Sequence, residues 1–330
     1  MQLRRKALVA LMLAAGIASP ASAAPAPAPA PAAPPAPMAY PQRVVTLVTH
    51  SSPGAGSDIF LREMIKYLQR YVAANFIVEN IEGGSGAKAV SRVANAKPDG
   101  SVLYAATPTY ILTSLMSKPA NTYRDLEPVV NFFTDSEMIY TRVESPYKSL
   151  KDVIDHARST RGRWGASNPA SLERESLEEL KIATKVNAAV VSHNGGSDMM
   201  INVLNGTLDM GVGETEEIRA QLEGKKIRVL ATFNAERMKA YPEVPTVKES
   251  GYDVVLQKFR GIAGPKGLPP EIVKIWEAAA QRILADPEYK KLYEDEVLVP
   301  NYIPHDNYGP FVADFASKTE SYLKSTGVIK

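Results

Sequence analysis

Two hydrophobic periods alternate along this chain. Residues 43–49, Arg-Val-Val-Thr-Leu-Val-Thr, form a β-branched apolar run that predicts a buried strand. Residues 59–68 then repeat apolar positions at helical spacing. The exchange recurs. Strand-like runs at 76–78, 102–106, 164–166 and 188–191 lead into helical patterns through Ala89, Val90 and Val93, from Thr107-Pro108-Thr109 onward, at 172–183 and at 198–204. Further strands are expected at 129–133, 138–143, 210–212 and 227–233, with a helix at 149–157. The last third is helical. Pro269-Pro270 starts a helix reaching about residue 284, Asp286-Pro287 starts a shorter one, and the final helix puts Tyr308, Phe311, Val312, Phe315, Tyr322 and Leu323 on one face. Gly327 is placed to cap it. Folded structure is expected from about Tyr40, as open α/β sheets with helices on both faces and no solenoid repeat.

The first switch of period carries the most chemistry. His50-Ser51-Ser52-Pro53-Gly54-Ala55-Gly56-Ser57-Asp58 separates the first strand from the first helix, with Ser57 or Asp58 as the expected N-cap. A strand that enters a helix through a glycine-rich turn directs backbone N–H groups one way and favours a bound anion, typically phosphate or carboxylate.

The N-terminus adds a compartment. Arg4, Arg5 and Lys6 precede an apolar stretch of 11 residues, and Ala21-Ser22-Ala23 supplies a small-x-small cleavage site. Residues 1–23 are therefore expected to be a cleaved secretory signal peptide, too short to span a bilayer. Residues 24–39 are mostly Ala and Pro, an extended tether. The chain has no cysteine, so neither a lipid-anchoring thiol nor a disulfide is available, and a bacterial periplasm fits. Without the three leader cations, 35 basic residues face 36 acidic ones, a net of −1. No basic stripe remains for nucleic acid.

Several motifs, in order, resemble the Bug/TctC family of periplasmic solute-binding receptors of tripartite tricarboxylate transporters. Pro53-Gly54-Ala55-Gly56-Ser57-Asp58 is similar to that family's Pro-Gly-Gly-Gly-Thr-Asp turn. Val78-Glu79-Asn80 with Gly83-Gly84-Ser85-Gly86 resembles its Val-Glu-Asn-x-x-Gly-Ala-Gly segment, and Lys97-Pro98-Asp99-Gly100 its Pro-Asp-Gly turn. Asn205-Gly206-Thr207-Leu208-Asp209 resembles its entry to a strand. Most distinctive is Tyr241-Pro242-Glu243-Val244-Pro245-Thr246-Val247-Lys248-Glu249-Ser250-Gly251, close to Pro-Asp-Val-Pro-Thr-x-x-Glu-x-Gly and containing a capping box from Thr246 to Glu249.

The resemblance implies a two-lobed α/β fold of the periplasmic-binding-protein type II kind, each lobe a sheet with helices on both faces, with a hinge between the lobes. Residues 40–133 plus 262–330 would form one lobe and 134–261 the other. A small carboxylate would bind in the cleft, for delivery to the membrane permease subunits of the transporter, with no cofactor, no metal and a monomeric receptor. Carried over residue by residue, Ser51, Ser52, Gly54, Ala55, Gly56, Ser57 and Asp58 would supply the first-lobe turn, with Thr107 and Thr109 beside it. Asn168, Ala170 and Ser171 would supply a second-lobe turn, His193, Asn194, Gly195 and Gly196 another, and Glu214 the end of the following strand. The chain departs from the family pattern here. His193-Asn194 stands where Tyr-Lys is common, Pro169-Ala170-Ser171-Leu172-Glu173 replaces a glycine-rich turn, and Glu214 stands where Asp is usual. A trianion would miss the lysine, so a monocarboxylate or small dicarboxylate, with a hydroxyl or amine at its far end, fits better.

Plainer roles compete at these positions. Ser51 and Ser52 are also ordinary turn residues, His193 an ordinary loop histidine, Glu214 a helix-start acid and Thr107 a cap. Other classes compete as well. Gly54-x-Gly56 after a strand, with Glu79 ending the next, partly matches a dinucleotide fingerprint, but Ile59 occupies the third glycine position. A secreted hydrolase has no frame here: none of the four histidines lies in His-Glu-x-x-His, no Gly-x-Ser-x-Gly occurs, and the pair His193 and Asp198 lacks a nucleophile. A ligand-binding module feeding a sensor kinase is a further alternative.

Overall fold

The structure, a computed structural model, describes Ala36–Lys330. The expected signal peptide and residues 24–35 of the expected tether lie outside the described residues. Along the described chain run β1 (Met38–Thr49), α1 (Gly56–Leu68), β2 (Val72–Asn80), α2 (Ala87–Ala94), β3 (Val102–Ala106), α3 (Pro108–Ser117) and β4 (Leu126–Asp135). There follow β5 (Glu137–Arg142), α4 (Leu150–Ser159), β6 (Gly162–Ala166), α5 (Leu172–Thr184), β7 (Ala188–Ser192), α6 (Gly196–Leu204), β8 (Met210–Glu214), α7 (Thr215–Glu223) and β9 (Ile227–Thr232). The chain closes with β10 (Lys258–Pro265), α8 (Pro270–Ala285), α9 (Pro287–Asp295), β11 (Val299–Ile303) and α10 (His305–Ser325).

Two sheets result, ordered β11-β4-β10-β3-β1-β2 and β7-β6-β8-β5-β9. β1, β2 and β3 run parallel, as do β6, β7 and β8, because helices carry each crossover. The period-2 alternation of the strands sorts side chains to opposite faces. Leu103 and Ala105 join the layer under α1 and α8, while Val102, Tyr104 and Ala106 join that under α2, α3 and α10. In the second sheet Ile139 faces α4 and α5, whereas Met138 and Tyr140 face α6 and α7.

The chain passes from the first sheet to the second at Ser136, between β4 and β5, and returns before Lys258. β10 then pairs antiparallel with both β4 and β3. Thus 134–135 and 258–261, expected in the second lobe, pair within the first sheet. The sequence pattern missed β10, β11 and α7. Strands 10 and 11 are stitched in by partners more than a hundred residues away in sequence, and α7 opens with Glu216 and Glu217 in its first turn, behind Glu214 as N-cap, which masks its apolar face. Among the described residues, no helix is long and apolar enough to cross a membrane.

Candidate functional site

β1 leads through the turn at 50–55 into α1 at Gly56, β8 runs directly into α7 at Thr215, and the two helix starts meet between the sheets. Helix N-termini carry unpaired N–H groups and partial positive charge. α1 begins two to three residues earlier than a Ser57 or Asp58 cap predicts: Ala55 is its N-cap, with no side-chain capping bond. Asp58 instead folds back on the turn. Its carboxylate accepts from Gly54 N–H at 2.9 Å, from Arg62 and from Asn80 Nδ2. Burial works against that charge, but these bonds hold its pKa below the ordinary range. The left-handed position of the turn is Gly54, with φ of 80°.

Most of the turn's amides serve the turn itself. Ser51 N–H donates to Thr49 Oγ1, Ala55 N–H to the Ser52 carbonyl and Asp58 N–H to the Ala55 carbonyl. One reaches across the cleft: Gly56 N–H donates to Glu217 Oε1 at 2.6 Å. The anion position foreseen at this turn is thus held by a carboxylate of the protein, from the first turn of α7.

Behind that contact lies a buried charge cluster on the strands that join the sheets. Lys258 stands opposite Asp135 in the β10–β4 pair, and Glu137 opposite Glu214 in the β5–β8 pair. Lys258 Nζ lies 3.0 Å from Glu173 and 3.6 Å from Glu137, and contacts Glu214 directly. Arg260, fully buried, donates through Nε to Asp135 at 2.7 Å and pairs with Glu216. Burial pushes Glu173 up, yet the Lys258 charge outweighs it and holds the carboxyl near pKa 2. Glu137 goes the other way: burial and the Glu173 charge drive its pKa well up. Burial and Glu173 likewise raise Glu217 to about 7, against the pull of Gly56 N–H. His50, against the same cavity, is lowered to about 4 by burial and by Lys258, and is neutral. Glu137, Glu173 and Glu214 come close enough together to ligate a metal ion, but the Lys258 ammonium occupies that centre.

The structure brings many of the expected site residues into one ring. Ser51, Ala55, Gly56, Ser57, Thr109, Asn168, Asn194, Gly195, Gly196 and Glu214 line a small cavity of about 20 Å³, room for about one water. Ser52 packs against Gly195, and Gly54 faces Ser197. Thr107 ends its strand as the N-cap of α3, with Oγ1 buried and unpartnered. Ala170 packs into the first-sheet core, and Ser171 caps α5 through Arg174 N–H. His193 turns its Nδ1 to the Ala166 carbonyl and borders a separate open pocket of about 500 Å³.

Sequence reasoning missed Glu173, Glu217 and Lys258 on this cavity, and Asp135, Glu137, Glu216 and Arg260 behind it. The available signal was the alternation Lys258-Phe259-Arg260-Gly261-Ile262, a strand with two cations on one face.

A family model described as "Tripartite tricarboxylate transporter family receptor", TctC, matches residues 60–328. A Cupriavidus necator protein described as "UPF0065 protein in gbd 5'region" is 28% identical over 294 residues, covering 88% of this chain and 90% of that protein. The structure described as "R. palustris Rpa4515 with adipate" superposes with a TM-score of 0.82 at 23% identity, over 87% of this chain and 98% of that one. "MatC (Rpa3494) from Rhodopseudomonas palustris with bound malate" gives 0.78 at 22% identity, over 88% and 100%. The expected two-lobed fold stands on this likeness and on the two sheets.

Proposed function

The chain belongs to the tripartite tricarboxylate transporter receptor family, and we propose that it captures a small carboxylate between its lobes and delivers it to the permease subunits of such a transporter. One contact carries the reading for this chain: a carboxylate already sits on Gly56 N–H at the start of α1, held at 2.6 Å. That carboxylate comes from the opposite lobe, so opening the cleft uncovers the N–H group and the dipole end of α1 together. A ligand carboxylate takes the same place and lets the lobes close on it. The neighbouring structures with adipate and with malate support the same ligand class. The lobes divide where the chain passes between sheets, at Ser136 and before Lys258. Export through the leader at residues 1–23 puts the receptor in the periplasm, where it acts as a monomer.

Thermal melting with a ligand panel tests the reading. A ligand that binds only the folded state adds about 2.7 kcal/mol at a hundredfold excess over Kd. Small carboxylates are expected to raise Tm, and nucleotides and sugars to leave it unchanged. Stabilisation by NAD with none by any carboxylate would sink the proposal.

A further inference from the structure

The cavity between the sheets is walled by acid. Glu173 and Glu214 are 2% and 0% exposed, and Glu217 joins them on its lining. Counting the layer behind, six carboxyl groups (Asp135, Glu137, Glu173, Glu214, Glu216 and Glu217) face only two cations, Lys258 and Arg260. Both cations are engaged by protein carboxylates. After those pairings Glu173 Oε2 and Glu214 Oε2 remain buried without a hydrogen-bond partner. The Glu214 oxygen points at the first-lobe turn, 2.9 Å from where a Cβ on Gly56 would lie.

A buried carboxylate oxygen without a donor is costly. A second ligand carboxylate could not relieve it: ionised carboxylates only accept hydrogen bonds, and like charges in one site repel. An ammonium brings three donors and the opposite charge. The helix starts, where an anion would gain most, already hold Glu217 at α1 and Glu173 in the first turn of α5.

We propose that the ligand is an aminocarboxylate, whose ammonium docks on Glu173 and Glu214 while its carboxylate displaces Glu217 from Gly56 N–H. This rests on the carboxylate-receptor reading above and narrows it from carboxylates in general to zwitterions. The two docking points adjoin, since the Glu214 oxygen and the Gly56 backbone are neighbours, so one small molecule reaches both.

Calorimetric titration of the mature protein with matched probes tests this: β-alanine and 4-aminobutanoate against butanoate, succinate, glutarate and butylamine. The expected result is binding of an aminocarboxylate at least tenfold tighter than of the monocarboxylate or either dicarboxylate. Glu214→Gln, which keeps shape and removes charge, is expected to lower that preference at least tenfold. Glu173→Gln carries the same comparison should the first variant fail to fold. Dicarboxylates binding as tightly as aminocarboxylates, no binding by any amine-bearing probe, or an unchanged preference in a folded variant would each overturn the inference. Tight binding of a dicarboxylate leaves the receptor reading intact and removes only the zwitterion. Binding of butylamine with none of any carboxylate-bearing probe does the reverse: it keeps the cation dock and removes the carboxylate.

Discussion

The turn between β1 and α1 and the rim formed by the starts of α5 and α7, tied through buried carboxyls to β10 of the turn's own sheet, meet at one cleft, and they are built on opposite terms. The turn satisfies itself. Its charged member, Asp58, holds its pKa down with bonds from Gly54, Arg62 and Asn80, and most of its amides are used locally. The rim does not. It buries carboxyls together on two cations and leaves several oxygens without donors. A self-satisfied turn is a rigid presenting surface. A rim with undonated buried oxygens holds free energy that an incoming donor can release, which is the basis of the selectivity proposed above.

Breaking the rim should therefore produce the largest effect. Arg260 is fully buried between Asp135 and Glu216, and its loss strands both carboxyls in a dry layer. Arg260→Met is expected to destabilise the fold by about 3–5 kcal/mol, as removal of one partner of a buried ion pair does. Urea unfolding measures it. A loss below about 1 kcal/mol would mean that water already reaches the cluster.

The turn should respond to shape before charge. Gly56 does not sit in the left-handed region; that position falls to Gly54. What Gly56 supplies is close approach, since a Cβ would lie 2.8 Å from Arg260 Nη2 and 2.9 Å from Glu214 Oε2. Valine there forces the lobes apart, at a cost of about 1–3 kcal/mol for an overpacked contact. Gly56→Val is expected to fold by circular dichroism and to lose carboxylate affinity by about a hundredfold in calorimetry, about 2.7 kcal/mol. Unchanged affinity would reduce the turn to a structural corner.

Titration sharpens the contrast with a smaller effect. Glu217 rises to about 7 through burial and the Glu173 charge. Glu175 rises to about 8 and Glu179 to about 7, both through burial first. An acid raised in the folded state keeps its proton where the unfolded chain has lost it. Its contribution is full below the ordinary value of 4.5 and is lost as pH rises through the folded value. His50 opposes this only below its ordinary 6.5, where the unfolded chain takes up a proton that the folded one refuses. The clean window is therefore above pH 6.5. Between about pH 6.5 and 8.5 each of these acids is expected to lower Tm on the order of 2–4 °C, the equivalent of about 1 kcal/mol apiece. Glu217→Gln and Glu175→Gln should each flatten the slope, and a Tm that rises over this window would reverse the assignment.

The same contrast explains what could be read from the sequence. The turn is local: strand, glycines and helix lie in consecutive residues, as does the separate Pro-ordered loop at 241–251, so period and motif expose both. The turn's strand-to-helix geometry is legible, while the bond from Gly54 N–H to Asp58 within it is not. The rim is assembled by pairings that no local pattern records. Lys258 meets Asp135 across β10 and β4, and Glu214 meets Glu137 across β8 and β5. Read singly, Glu214, Glu216 and Glu217 look like ordinary acids at a helix start. Only the sheet topology brings them onto one face with two cations.

The weakest perturbation tests whether side chains at the turn matter at all. Ser51 lines the cavity, but its bonds run through the backbone: its N–H donates to Thr49 Oγ1 and its carbonyl accepts from Asn80 Nδ2 at 2.9 Å. Removing the hydroxyl leaves both bonds in place, so Ser51→Ala should shift stability by less than about 0.5 kcal/mol. Affinity is a separate matter. If the hydroxyl donates to a ligand carboxylate once Glu217 has left, its loss costs about 0.5–1.5 kcal/mol, the net worth of one neutral hydrogen bond. The two measurements, urea unfolding and calorimetric titration on one variant, divide the scaffold of the turn from its ligand face. A loss of affinity as large as that in Gly56→Val would overturn the backbone account of the turn and move recognition to its side chains.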